Sequence, residues 1–228
     1  MTRSALLLII LFVITLLGGL AAFAPLSFAL RQSCMVERGL GWQQARGSIW
    51  HGQVTGLTWR GQALGAVNLD SNPLRMLTGG ASHAVNWTGP YGQGQAHIKA
   101  SRSSILAEGI SLSLPLTERI GMDPALAHLG ATLRLSDGQV RLDGAQCREA
   151  SGTVTSDAAR RVAVEFGRDW PLLSGPLACE AGHLQAALSG DAADGTRIRL
   201  TASQDTGFRI ELANTDDDLK NMLLSGGF

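Results

Sequence analysis

The chain carries no excess charge of either sign. Its 19 basic and 19 acidic residues leave a formal net charge of zero, and only 17% of its 228 residues are charged. It therefore lacks the basic stripe that neutralises phosphates, which argues against a nucleic-acid partner. It also lacks the spacings on which catalytic chemistry depends. His51, His83, His97, His128 and His183 are scattered, with no His-x-x-x-His or His-Glu pairing that would gather a metal. No serine lies in Gly-x-Ser-x-Gly, and the nearest run, Gly79 to Ala84, has no strand-then-helix setting for a nucleophile elbow. A phosphate-cradling Gly-x-x-x-x-Gly-Lys and a recognisable pair of carboxylates are missing too. The expectation is a protein without catalytic residues, metal or cofactor.

Cysteine is scarce, three residues in all, and none stands in a Cys-x-x-Cys pair, so a four-coordinate zinc site is not encoded. Cys147 and Cys179 nevertheless share a setting: each follows a glycine-containing approach and precedes a glycine and a strand-like run. They read as a disulfide between neighbouring strand ends, which an oxidising compartment permits, with two buried apolar thiols as the alternative. Cys34 follows Arg31-Gln32-Ser33 rather than the small residues of a lipoprotein box, and reads as an unpaired thiol near a membrane surface.

One long apolar run is present, from Ser4 to Leu30, interrupted between Ala5 and Phe28 only by Thr15 and Ser27. A bilayer core needs about 20 consecutive apolar residues in helical form. Arg3 and the small-x-small run Ala22-Phe23-Ala24 also suit a cleaved signal peptide, but Pro25 directly after the would-be scissile bond disfavours cleavage. Residues 1–30 are therefore expected to form a single transmembrane anchor. Residues 31–228 are expected to lie on its far side, the periplasm of a bacterium.

Beyond the anchor the chain is glycine-rich and alternates with a period of two. Successive apolar rows are Val54, Leu57 and Trp59; Leu64, Val67 and Leu69; Ala96, Ile98 and Ala100; Leu112 and Leu114; and Leu133 and Leu135. Further rows are Val140 and Leu142; Val162, Val164 and Phe166; Leu184, Ala186 and Leu188; Ile198 and Leu200; and Phe208, Ile210 and Leu212. One apolar face with turn residues between runs predicts an all-β domain of twisted antiparallel sheets. Asp137-Gly138 and Asp194-Gly195 predict two-residue hairpins.

Helical signals are few. Asp123-Pro124 opens a short segment through His128, Pro73 to Leu77 fits one turn, and Thr215 with Asp216, Asp217 and Asp218 starts a short C-terminal helix carrying Leu219, Met222 and Leu223. A join between two β-subdomains is expected at 116–130, where these interruptions fall.

The densest local signature is Gly47-Ser48-Ile49-Trp50-His51-Gly52. Gly47 and Gly52 permit close backbone approach, and Trp50 is a large amphipathic anchor, either for an interface or for the core beneath a turn. Together with the N-terminal span, Leu64-Gly65, the run from Asn72 to Gly79 and two spaced cysteines, it resembles the type II secretion system protein N family along almost the whole chain. The resemblance implies an accessory inner-membrane subunit of the apparatus that moves folded proteins from the periplasm across the outer membrane. Its implied partners are other inner-membrane subunits and the secretin, and it carries over no catalytic residues.

The same pattern is similar to that of AsmA-like envelope proteins, which implies an alternative. In it a sheet curves around an apolar groove, lined by Trp59, Leu64, Val67 and Leu69, that binds or transfers lipid. Polar outward residues, among them Thr58, Arg60, Arg134, Arg141, Arg197, Arg199 and Arg209, favour a closed core and a protein partner reached through exposed edge strands.

Overall fold

The computed structural model describes residues 9, 11–13, 15, 19, 24–32, 36–37, 39–71, 82–101, 103–116, 129–165, 167–203 and 207–213. The expected turn at Pro73 to Leu77, the segment from Asp123 to His128, the C-terminal helix, Cys34 and Phe166 lie outside them, as does most of the expected anchor. Of that anchor, the described residues Ile9, Leu11, Phe12, Val13, Thr15 and Gly19 are helical. No helix among the described residues is long and apolar enough to cross a membrane. The chain divides into two compact units, Met1–Pro90 and Tyr91–Phe228.

The first unit holds a short helix α1 (Leu26–Gln32) and strands β1 (Leu40–Gly41), β2 (Gln44–Gly47), β3 (His51–Trp59), β4 (Gln62–Ser71) and β5 (Ser82–Gly89). All pairings are antiparallel: β1 and β2 pair with successive lengths of β3, β4 pairs with β3, and β5 with β4. Registers Val54↔Val67↔Trp87 and Gly52↔Leu69↔Val85 set one apolar row across the sheet, and Gln53↔Asn68↔Asn86 sets a polar row on the other face. Arg60 and Gly61, both at positive φ (48° and 82°), close the β3–β4 hairpin in the geometry that matches strand twist.

The second unit is an antiparallel meander: β6 (Gly92–Ala100), β7 (Ser104–Pro115), β8 (Thr132–Asp143), β9 (Gln146–Ser156), β10 (Leu173–Glu180), β11 (His183–Asp191), β12 (Arg197–Ser203) and β13 (Gly207–Ala213). A helix α2 (Ala158–Glu165) connects β9 to β10. One face of β8 to β12 carries the core: Leu135, Val140, Val154, Leu173, Leu177, Ala186, Leu188, Ile198 and Leu200 pack with Ala159, Val162 and Ala163 of α2 and with Trp170. The other face is polar, with exposed Arg134, Arg141, Arg197 and Arg199.

Three sequence expectations are corrected here. Val162 and Val164 belong to α2, not to a strand. Val162 is 7% exposed and Val164 67%, because buried Ala159, Val162 and Ala163 follow the three-and-four spacing of a helix face. Asp157 secures the helix start, its carboxylate accepting the Thr132 backbone N–H at 2.6 Å and pairing with Arg161 at 3.2 Å.

Asp137-Gly138 is a β-bulge inside β8 rather than a hairpin. Asp137 has φ 51°, and the registers with β7 and β9 both shift there. The extra residue keeps Leu135 and Val140 on the same buried face despite their odd separation. Gly152 of β9 sits against it, and a Cβ on Gly152 would stand 2.8 Å from the Gly138 Cα.

Asp194-Gly195 does lie between β11 and β12, but in a five-residue loop spanning 192–196, since Asp191 pairs with Arg197. The Asp194 carboxylate accepts the Thr196 backbone N–H at 2.9 Å and meets Arg168 at 3.3 Å. The Thr196 N–H and hydroxyl, then the nearby Trp170 indole and Arg168, hold its carboxyl below the usual range. The indole N–H, although buried, reaches no acceptor in hydrogen-bonding geometry among the described residues.

Candidate functional site

The signature Gly47-Ser48-Ile49-Trp50-His51-Gly52 forms the β2–β3 hairpin, and the structure uses it to hold the end of the apolar segment. Gly47 and Gly52 face each other in register, and the Ser48 N–H donates to the His51 carbonyl at 3.0 Å. The Ser48 Oγ accepts the backbone N–H groups of Trp50 (3.3 Å) and His51 (3.2 Å), a side-chain brace that serine supplies readily in turns. Gly47 has φ +82°, and a Cβ there would collide with the His51 carbonyl oxygen.

The other side of the hairpin grips the incoming chain. Pro25 forms an isolated antiparallel bridge with Ser48, and the Ile49 N–H donates to the Ala24 carbonyl at 3.1 Å. Leu26, the buried first residue of α1, lies over Gly52, where a Cβ would meet the Leu26 Cδ2 at 2.5 Å and the Ser48 carbonyl at 2.7 Å. The hairpin is thus a collar in contact with Ala24, Pro25 and Leu26, where the apolar segment meets the β-sheet. Its hydrogen bonds are made by backbone groups together with the Ser48 hydroxyl.

A further tie runs across the sheet. The Ser71 N–H donates to the Trp50 carbonyl at 2.7 Å, and the buried Ser71 hydroxyl bonds His83 Nδ1 of β5. On the exposed face His51 Nδ1 meets Asp70 at 3.0 Å. Trp50 itself is half-buried. The sequence reading assembled Gly47, Ser48, Ile49, Trp50 and Gly52, and the structure brings all five together. That reading missed the contacts of Leu26, Ser71 and His83: Leu26 lies beside Pro25 inside the apolar run, and nothing in the sequence links Ser71 to His83.

In the second unit Cys147 and Cys179 form a disulfide, with Cα atoms 5.5 Å apart. The β9–β10 ladder runs from Leu173↔Ser156 to Pro176↔Thr153, where proline supplies no N–H. Beyond that point the disulfide and the Cys147 N–H, donating to Gly182 O at 2.8 Å, hold the seam together. Of the four residues suggested as a groove lining, Val67 and Leu69 share the apolar row with Val85 and Trp87. Trp59 and Leu64 lie beyond the register irregularity at Leu57, which breaks that row.

The family described as Type II secretion system (T2SS), protein N matches residues 38–227. The chain belongs to the type II secretion system protein N family. A protein named Type II secretion system protein N from Vibrio cholerae serotype O1 (strain ATCC 39315 / El Tor Inaba N16961) is 26% identical over 156 residues, covering 66% of this chain. The chain spans 62% of the length of that relative. No solved structure matches. The protein N match takes in the collar hairpin, the strands of both units and the disulfide, and so bears out the resemblance drawn from the signature residues.

Proposed function

We propose that the chain is an accessory inner-membrane subunit of the type II protein secretion system. It is anchored by residues 1–30, and its periplasmic β-domain, 31–228, assembles or stabilises the apparatus through contacts with inner-membrane subunits and the secretin. The observation that carries this reading is the collar within a chain of the protein N family. Ala24, Pro25 and Leu26, at the end of the apolar run, are seated on Ser48, Ile49 and Gly52, so a domain delivered across the membrane is held at a fixed entry point. Exposed edge strands supply the contacts, and no step of covalent chemistry is assigned. The subdomain join expected at 116–130 is kept as part of the proposal; it falls between β7 and β8 of the second unit.

A second reading, an AsmA-like lipid-binding protein, draws support from the half-buried apolar row Val67, Leu69, Val85 and Trp87 on one face of the first sheet. Affinity purification of the full-length chain from its native membrane separates the two. Co-recovery of inner-membrane secretion subunits or the secretin supports the first reading. Stoichiometric phospholipid without them overturns it in favour of the second.

A further inference from the structure

The last strand of the second unit, β13, pairs with β12 through seven uninterrupted antiparallel registers, from Arg197↔Ala213 to Ser203↔Gly207, and with nothing else among the described residues. Among the described residues it has no proline and no bulge, its length equals that of its neighbour, and the edge-protecting feature it does carry is one pair of opposite charges, Arg209 and Glu211. Its sequence, Gly207-Phe208-Arg209-Ile210-Glu211-Leu212-Ala213, is charge-complementary to itself when reversed.

An antiparallel pair of two such strands centred on Ile210 sets Arg209 opposite Glu211 of the other copy, and Glu211 opposite Arg209. It sets Phe208 opposite Leu212 at the next positions out. Arg209 and Glu211 are both exposed. Centring the pair on Arg209 or on Glu211 places like charges directly opposite, and a one-residue slip sets charged positions against apolar ones. The charge pattern thus selects a single register, and that register is symmetric.

We propose that β13 is the docking edge for a second copy of this chain, joining two sheets through a two-fold β13–β13 contact centred on Ile210. A two-fold contact is closed, so the edge is consumed in a dimer rather than propagated into a fibre. The proposal deepens the edge-strand reading above and rests on it, and it names the occupant of one edge.

The test uses the purified full-length chain in detergent, without other secretion subunits, so its failure is distinct from a failure to co-purify with the apparatus. Mass is measured by light scattering across a dilution series. The wild type is expected to dimerise. Arg209→Glu alone and Glu211→Arg alone, which turn both opposed pairs into like charges, are each expected to weaken self-association roughly tenfold or more. Mixing the two variants restores opposite charges at both positions, so a heterodimer is expected in the mixture. Ile210→Cys in a Cys34→Ser background, which reads the axis directly, is expected to crosslink copy to copy under mild oxidation, whether or not the charge variants fold. A monomeric wild type, unchanged association of the single variants, or absence of the copy-to-copy crosslink in a folded Ile210→Cys protein overturns the proposal.

Discussion

At the scale of single residues, the collar depends on side chains that are small or short for steric reasons. Gly52→Ala places a methyl group against the Leu26 side chain and the Ser48 carbonyl. It is expected to cost about 1 to 3 kcal/mol, and the measurement is the denaturation midpoint together with protease cleavage near α1. Ser48→Ala removes the acceptor of two backbone N–H groups and is expected to cost about 1 kcal/mol, whereas Ser48→Asp, which restores an acceptor, recovers most of the loss. These positions were legible in the sequence because two glycines flanking a serine and a tryptophan have few uses other than a tight turn. What they grip was not legible. Leu26 and Pro25 belong to a run whose apolar composition already had an explanation as a membrane segment, so nothing local marked its last residues as part of the sheet. The Asp137-Gly138 hairpin signal failed for a related reason, and Asp194-Gly195 marked a true connection of a different length. Asp-Gly favours positive φ, but a bulge uses the same conformation, and at Asp137 the neighbouring strands continue past it. The turns that do close with two positive-φ residues, Arg60-Gly61 and Ala181-Gly182, carry only the glycine as a cue.

At the scale of elements, the second unit is held by a helix laid over its sheet, a disulfide across one seam and a loop braced by Asp194. Removing the disulfide with Cys147→Ala and Cys179→Ala is expected to lower stability by about 3 to 4 kcal/mol, given the 32-residue separation it closes, read as the shift in a denaturant midpoint. The pairing was foreseen from the like settings of the two cysteines. The Asp194 carboxyl is lowered below its usual 3.8 chiefly by the Thr196 hydrogen bonds, so its contribution is present above about pH 4 and lost as pH falls through the lowered value. Asp194→Ala is therefore expected to be less stable than the wild type at neutral pH, with the difference closing as the medium is acidified. Chemical denaturation at several pH values measures it, and a difference that widened in acid would contradict the assignment. Most strands were visible as period-two rows because each has one face on the core and one in water. α2 was misread because its alternating Val162 and Val164 mimic a strand over so short a span, while its buried alanines give little hydrophobic contrast. β9 was seen only as the strand-like run after Cys147, and β5 and β10 escaped notice, because glycine, threonine and serine dilute the alternation across these strands.

At the scale of the whole molecule, the chain is a member of the protein N family whose β-sheet is joined to an apolar N-terminal segment at the collar, and the proposal is that it works by contact within the secretion apparatus. Family membership was legible from the Gly47 to Gly52 signature taken together with the apolar N-terminal run, Leu64-Gly65, the run from Asn72 to Gly79 and two spaced cysteines. The partner was not, because edge strands pair through backbone groups that every sequence possesses. The most direct test is crosslinking in living cells during active secretion, with a photoreactive residue placed singly at exposed positions of the edge strands β2 and β13, such as Gln44, Arg46 and Arg209. The account predicts adducts with inner-membrane secretion subunits or the secretin, from some positions and not others. Adducts confined to phospholipid, or none with any secretion subunit from any position, would contradict it.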